Sequence, residues 1–232
     1  SFIENFEKLR NQDNKGLLIS ATGTGKTFAA AFAMKSIGAK RLLFIVHREQ
    51  IARQALETFK TIFGTSRSYG LLTGKEKNIE ADFVFSTVQT MSKEDVFKSF
   101  NDTHFDEIII DEVHRAGADS YLRLMDYFKP VFYLGMTASP DRTDSFNIYE
   151  LFNNNIVYEV RLKEAMENSL LCPFHYFGIS DLEVDGKVID ELSEFSNLVS
   201  SERVEHIISK INYYSYSGDR VKGLVFCSSK QE

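Results

Sequence analysis

The chain is 232 residues long, 43% hydrophobic with twenty Phe and ten Tyr, and carries a formal net charge of −6. That length and apolar content support one full domain and part of a second, and the acidic balance excludes a generally basic nucleic-acid binder. No apolar run approaches the roughly 18 residues of a membrane span, the start SFIENFEKLR is not a signal peptide, and Cys172 and Cys227 read as buried thiols without metal-ligand spacing, so a reducing, cytoplasmic setting without membrane contact is expected.

In chain order, the first predicted strand is LLIS (17–20), which runs into ATGTGKT and a helix over 26–37. A phosphate loop needs successive backbone N–H groups turned toward an anion, small residues that let oxygens approach, and a helix N-terminus behind. Here Gly23 and Gly25 supply the turn, Lys26 reaches the β and γ phosphates, and the Thr27 hydroxyl is a ligand for Mg²⁺, with Thr22 and Thr24 completing the loop. Ser20 stands where the strict G-x-x-x-x-G-K-[ST] pattern has glycine, so the stretch alone leaves a chance arrangement open.

Further strands are expected at 42–46, 69–72, 83–86, 107–110 and 131–135, with helices at 48–63, near 90–100 and at 119–128. Several of these strands are apolar along their whole length, the pattern of strands buried on both faces of a parallel sheet. Their alternation with helices implies right-handed crossovers and an α/β domain. The strand in DEIIIDEVH ends in Asp111 and Glu112, where an acidic pair would face a phosphate loop across neighbouring carboxyl ends. Asp111 would hold Mg²⁺ and Glu112 would orient and deprotonate an attacking water; by themselves the same acids also suit the N-terminus of the next helix.

Beyond about residue 160 the texture changes. DLEVDGKVIDELSE (181–194) reads as a solvated loop, hairpin or short helix, 202–215 as a helix and GLVFCSS (223–229) as a buried strand. The division expected is 1–165 for the first domain and 166–232 for an interdomain connection and the truncated start of a second. Residues 26–77 carry ten Lys/Arg against three Asp/Glu, a local surplus that permits a phosphate-binding face despite the acidic total.

ATGTGKT and DEVH, in this order, resemble the superfamily 2 helicases and translocases of the DExH type, a family that tolerates a residue other than glycine at position 20. FIVHREQIARQ (44–54), LLTG (71–74), STVQTM (86–91), GMTASP (135–140) and GLVFCSS resemble its further motifs in order, so the resemblance spans nearly the whole chain. DEVHRA, GMTASP and DRTD look closest to the branch that holds the motor subunits of type I and type III restriction enzymes.

The resemblance implies a RecA-like P-loop NTPase domain, a parallel sheet flanked by helices, followed by the start of a second RecA-like domain. It implies an ATP hydrolase that uses ATP and Mg²⁺ and moves on or unwinds nucleic acid, DNA in preference to RNA, alongside nuclease or specificity partners; an RNA helicase, or a nucleotide-dependent switch or assembly module, is the alternative. Glu112, Asp111 and Lys26 would be catalytic, Thr27 and Asp111 the metal site, and Thr137, Ala138 and Ser139 the link between nucleotide state and domain closure. His114 would communicate with the second domain. Arg48, Gln50, Thr73, Gly74, Thr87 and Gln89 would contact the nucleic-acid backbone on the face opposite the ATP cleft. The arginines that complete such a site would follow residue 232, and Gln12 lies too close to the loop to be the family's adenine-reading glutamine, so weak ATP binding and little turnover are expected of residues 1–232 alone.

Overall fold

The computed structural model describes residues 1–74, 76–115, 119–140, 147–178, 183–184, 187–188, 201–214, 218–224 and 226. The chain divides into two compact units, Ser1–Pro173 and Phe174–Glu232.

The first unit is built on β1 (Lys15–Ser20), β2 (Leu42–Val46), β3 (Tyr69–Leu72), β4 (Phe83–Thr87), β5 (Glu107–Asp111), β6 (Phe132–Thr137) and β7 (Ile156–Val160). They form one sheet in the order β3-β4-β2-β5-β6-β1-β7, and every pairing in it is parallel. All strand carboxyl ends therefore lie along one edge, which is where ligands bind in open α/β sheets.

Helices α1 (Phe2–Arg10), α2 (Lys26–Ser36) and α3 (Glu49–Phe63) cover one face. There Leu42, Phe44 and Val46 of β2 join Phe6, Met34 and Phe59 in one apolar cluster. The other face takes Leu43 and Ile45 of the same strand into a second cluster with Met91, Phe97 and Leu124. These come from α4 (Val88–Met91), α5 (Glu94–Phe97) and α6 (Asp119–Tyr127). Successive side chains of a strand point to opposite faces, so burial on both faces is what makes β2 apolar at every position.

Six strands match the sequence expectation to within two residues, and four elements of the first unit, α1, β7 and two short helices, were not anticipated. Strand β7 sits at the sheet edge and alternates between exposed and buried residues, so it lacks the continuous apolar run that marked the others. Helix α1 starts from a capping box in which the Ser1 hydroxyl accepts from the Glu4 N–H and the Glu4 side chain reaches back. The helix expected near 90–100 is two single turns, α4 and α5, separated at Ser92 and Lys93. Two short helices, α7 (Ile148–Leu151) and α8 (Leu162–Glu167), flank β7.

The second unit contains an antiparallel hairpin of β8 (Glu183–Val184) and β9 (Lys187–Val188) within the acidic stretch. It also contains α9 (Ser201–Tyr214), none of whose residues is buried. Phe177 stacks on Tyr214 at a ring separation of 4.4 Å. The strand expected at 223–229 lies mostly outside the described residues, as do Cys227 and the DRTD segment. Cys172 is exposed, which corrects the expectation of a buried thiol. Among the described residues no helix is long and apolar enough to cross a membrane.

Candidate functional site

Strand β1 hands the chain to the loop at Ser20, and α2 begins at Lys26. Gly23 at φ +87° and Gly25 at φ +85° hold left-handed backbone, which glycine adopts without the clash a Cβ brings. Ser20 is the last residue of a strand and is not among the positive-φ residues. Its backbone asks for no glycine, and this is the physical reason the strict consensus is dispensable here. The first-turn N–H groups of α2 have no intrahelical acceptor and present the positive end of the helix dipole. The Lys26 ammonium donates to the carbonyls of Ser20 at 2.9 Å and Ala21 at 3.3 Å. Burial pulls the Lys26 pKa below its ordinary value, while Asp111 and Glu112 act in the other direction.

Strand β6 lies between β1 and β5. Its register pairs Thr137 with Ile19 and Met136 with Asp111, so the carboxyl ends of the three strands finish at nearly one level. Asp111 is pushed above its ordinary pKa, first by burial and then by the Glu112 charge, with the Glu112 N–H and Lys26 opposing. That N–H donates to Asp111 Oδ1 at 3.0 Å. Glu112 itself holds φ +52°, a left-handed conformation that is costly for a side chain of this size and persists only where its surroundings impose it.

His114, expected to communicate with the second domain, sits beside the acidic pair. Its Nδ1 lies 3.1 Å from Glu112 Oε2 and 3.0 Å from Thr137 Oγ1. Thr137 is fully buried, and its hydroxyl also accepts the Ser139 N–H at 3.1 Å. The histidine, the acidic pair and the end of β6 are thus joined inside the first unit, with Ala138 and Ser139 leading away from the junction.

A cleft of ≈460 Å³ brings Thr22, Gly23, Gly25, Lys26 and Thr27 together with Asp111 and Glu112. Its other wall is Ile51, Gln54, Ala55 and Thr58 of α3, with Phe28 between. Sequence reasoning missed this wall. The only signal was the i, i+4 spacing of Gln54 and Thr58, which places both on one side of a helix. Thr24 turns back into its own loop, its Oγ1 donating to the Ala21 carbonyl at 2.7 Å.

The six residues expected to contact nucleic acid lie at or just after the carboxyl ends of β2, β3 and β4, Thr87 being the last residue of β4. The expectation of an opposite face is corrected, because in an all-parallel sheet these ends share the edge that carries the phosphate loop and are displaced along it. Arg48, Gln50, Gly74 and Gln89 are exposed. Thr73 and Thr87 are 1% and 7% exposed. The Thr87 hydroxyl caps α4 by accepting from the Thr90 N–H, and the Thr73 hydroxyl accepts from the Glu76 N–H at 3.4 Å. Burial therefore turns these two side chains to local structure and leaves the surface to the other four. Arg53, one turn after Glu49, ties α3 to the loop beyond β3 through ion pairs to Glu49 at 2.7 Å and Glu76 at 2.5 Å.

The sequence family described as type III restriction enzyme, res subunit, matches residues 1–142. The chain is 30% identical to a type I restriction enzyme EcoAI endonuclease subunit of Escherichia coli over 96% of its own length and 31% of that subunit's. Among solved structures, a nuclease-deletion mutant of the type ISP restriction-modification enzyme LlaGI in complex with a DNA substrate mimic superposes with a TM-score of 0.56 at 20% identity, covering 72% of this chain and 20% of that one. The helicase domain of Hef from Pyrococcus furiosus does so with a TM-score of 0.54 at 20% identity, covering 65% and 36%. Both likenesses show the fold, that of a RecA-like helicase domain. The chain spans about a third of the length of its relatives, 31%, 30% and 29% of the first three.

Proposed function

Because the chain belongs to the family of the type III restriction enzyme res subunit, we propose that its first unit is the ATP-hydrolysing half of a nucleic-acid motor, a translocase or helicase acting on DNA. The single observation that carries this is the convergence of Lys26 and Thr27 with Asp111 and Glu112 in one cleft at the carboxyl edge of the sheet. Residues after about 166 would begin the second RecA-like domain.

In this reading the loop N–H groups and the N-terminus of α2 receive the phosphates, and Lys26 exchanges the carbonyls of Ser20 and Ala21 for phosphate oxygens. The Thr27 hydroxyl and the Asp111 carboxylate are hard oxygen donors of the kind Mg²⁺ prefers. Among the described residues no group of three or more His, Cys, Asp and Glu could hold a metal by itself, which fits an ion that takes its remaining ligands from phosphate and water. Bound there, Mg²⁺ supplies charge neutralisation at the phosphates. Glu112 orients the attacking water and takes its proton. The His114 bridge between Glu112 and Thr137 makes the end of β6 sensitive to what happens at the carboxylate.

The DNA preference rests on the restriction-enzyme relatives, and partners that supply sequence specificity or a nuclease would accompany such a motor. The contact surface would be Arg48, Gln50, Gly74 and Gln89, with Thr73 and Thr87 shaping the loops beneath. The test is ATP hydrolysis by the full-length protein with and without DNA or RNA. DNA is expected to stimulate turnover, Lys26→Ala to abolish nucleotide binding, and Glu112→Gln to lower turnover by about 10²-fold or more while ATP still binds. Turnover that no nucleic acid stimulates, or a Glu112→Gln protein that still translocates, would overturn the proposal.

A further inference from the structure

The two hydroxyls of the phosphate loop form a directed chain. Thr24 Oγ1 has one proton, and it goes to the Ala21 carbonyl at 2.7 Å. The 2.6 Å contact between Ser20 Oγ and Thr24 Oγ1 then has a single sense, with Ser20 donating. Ser20 is 7% exposed, so water is not freely available to replace that bond. The chain Ser20 to Thr24 to Ala21 closes across the whole turn that contains Gly23.

The same carbonyls serve Lys26, at 2.9 Å from Ser20 O and 3.3 Å from Ala21 O. When Lys26 leaves for a phosphate it vacates both, and a buried carbonyl without a donor is costly. Thr24 remains on Ala21 O through that exchange. The oxygen keeps its place inside the loop, where it also accepts the Thr24 N–H at 3.4 Å, so the turn stays closed. Where the strict pattern has glycine at position 20, no side chain is available to do this.

We propose that Ser20, which lies outside the set of nucleotide-contacting residues, is a positioning residue for the nucleotide, acting through the Thr24 hydroxyl to hold the phosphate loop in its anion-receiving shape while Lys26 changes partners. This rests on the reading that the loop binds ATP. Titration with a fluorescent N-methylanthraniloyl derivative of ADP tests both. Wild type is expected to bind and Lys26→Ala not; equal binding by these two, or none by either, would overturn the ATP reading and this inference with it.

Given that difference, Ser20→Ala and Thr24→Val are each expected to weaken binding about three- to tenfold, the loss of one net hydrogen bond, and Thr24→Ser to restore wild-type affinity. The double variant Ser20→Ala/Thr24→Val is expected to be no weaker than the poorer single, because the two hydroxyls act as one unit. In the full-length protein KM for ATP rises by the same factor while kcat stays within about twofold, a split that general loss of structure would not produce. Ser20→Gly completes the strict consensus and is expected to bind as poorly as Ser20→Ala. Wild-type affinity in Ser20→Gly, failure of Thr24→Ser to rescue, or losses that multiply in the double variant would refute the role.

Discussion

Glu107→Gln is expected to leave the protein's stability unchanged near pH 4.5 and to raise it at pH 8. Glu107 opens β5 with a side chain 1% exposed. Its Oε1 accepts from Arg10 Nε at 2.8 Å and Nη2 at 2.6 Å, but Oε2 is buried with no partner among the described residues. Burial raises the Glu107 pKa from 4.5 to about 7, against the opposing pull of Arg10. The folded state therefore holds a proton that the unfolded chain gives up between these values. Stability falls as pH rises through that window and the loss is complete above it, the reverse of an ordinary ion-paired carboxylate. At about 1.4 kcal/mol per pH unit, the span from 4.5 to about 7 amounts to about 3 kcal/mol. Gln keeps an acceptor for Arg10 and carries no charge at any pH, so the variant escapes this loss. Urea unfolding of both proteins at intervals from pH 4.5 to 8.5 gives the difference curve, from which groups common to both cancel. A variant less stable than wild type at pH 8 would show that the Arg10 pair outweighs the stranded oxygen, and would refute the reasoning.

Thr137→Val removes the hydroxyl that faces His114 and accepts the Ser139 N–H. It is expected to cost about 1–3 kcal/mol of stability, with DNA translocation per ATP falling more than ATP turnover; equal losses in both would count against a coupling role. Arg48→Ala is expected to weaken DNA binding across sequences and to lower the slope of log affinity against log salt by about one. An unchanged slope in salt titrations would remove Arg48 from the interface.

The turn in ATGTGKT and the acidic pair at the end of β5 were legible because each is a local matter. A strand end, a glycine where the backbone turns left-handed and a lysine at a helix start are set by neighbours in sequence, so ATGTGKT and DEVH announce themselves. The buried strands were legible for a related reason, since burial on both faces leaves no polar position to interrupt the run. Edge strand β7, wetted at alternate positions, had no such signature.

What the sequence by itself determined is the chemistry available: Lys26, Thr27, Asp111 and Glu112, and strands that could only be buried in a parallel sheet. What the tertiary structure decided is who meets whom. The order β3-β4-β2-β5-β6-β1-β7 sets β6 between the loop and the acids, turns His114 inward to Thr137, buries the hydroxyls of Thr73 and Thr87, and supplies α3 as a cleft wall. Side-chain type and local backbone geometry are properties of a few adjacent residues, whereas burial and contact depend on pairing between segments tens of residues apart, and the spacing of a motif carries no record of that pairing.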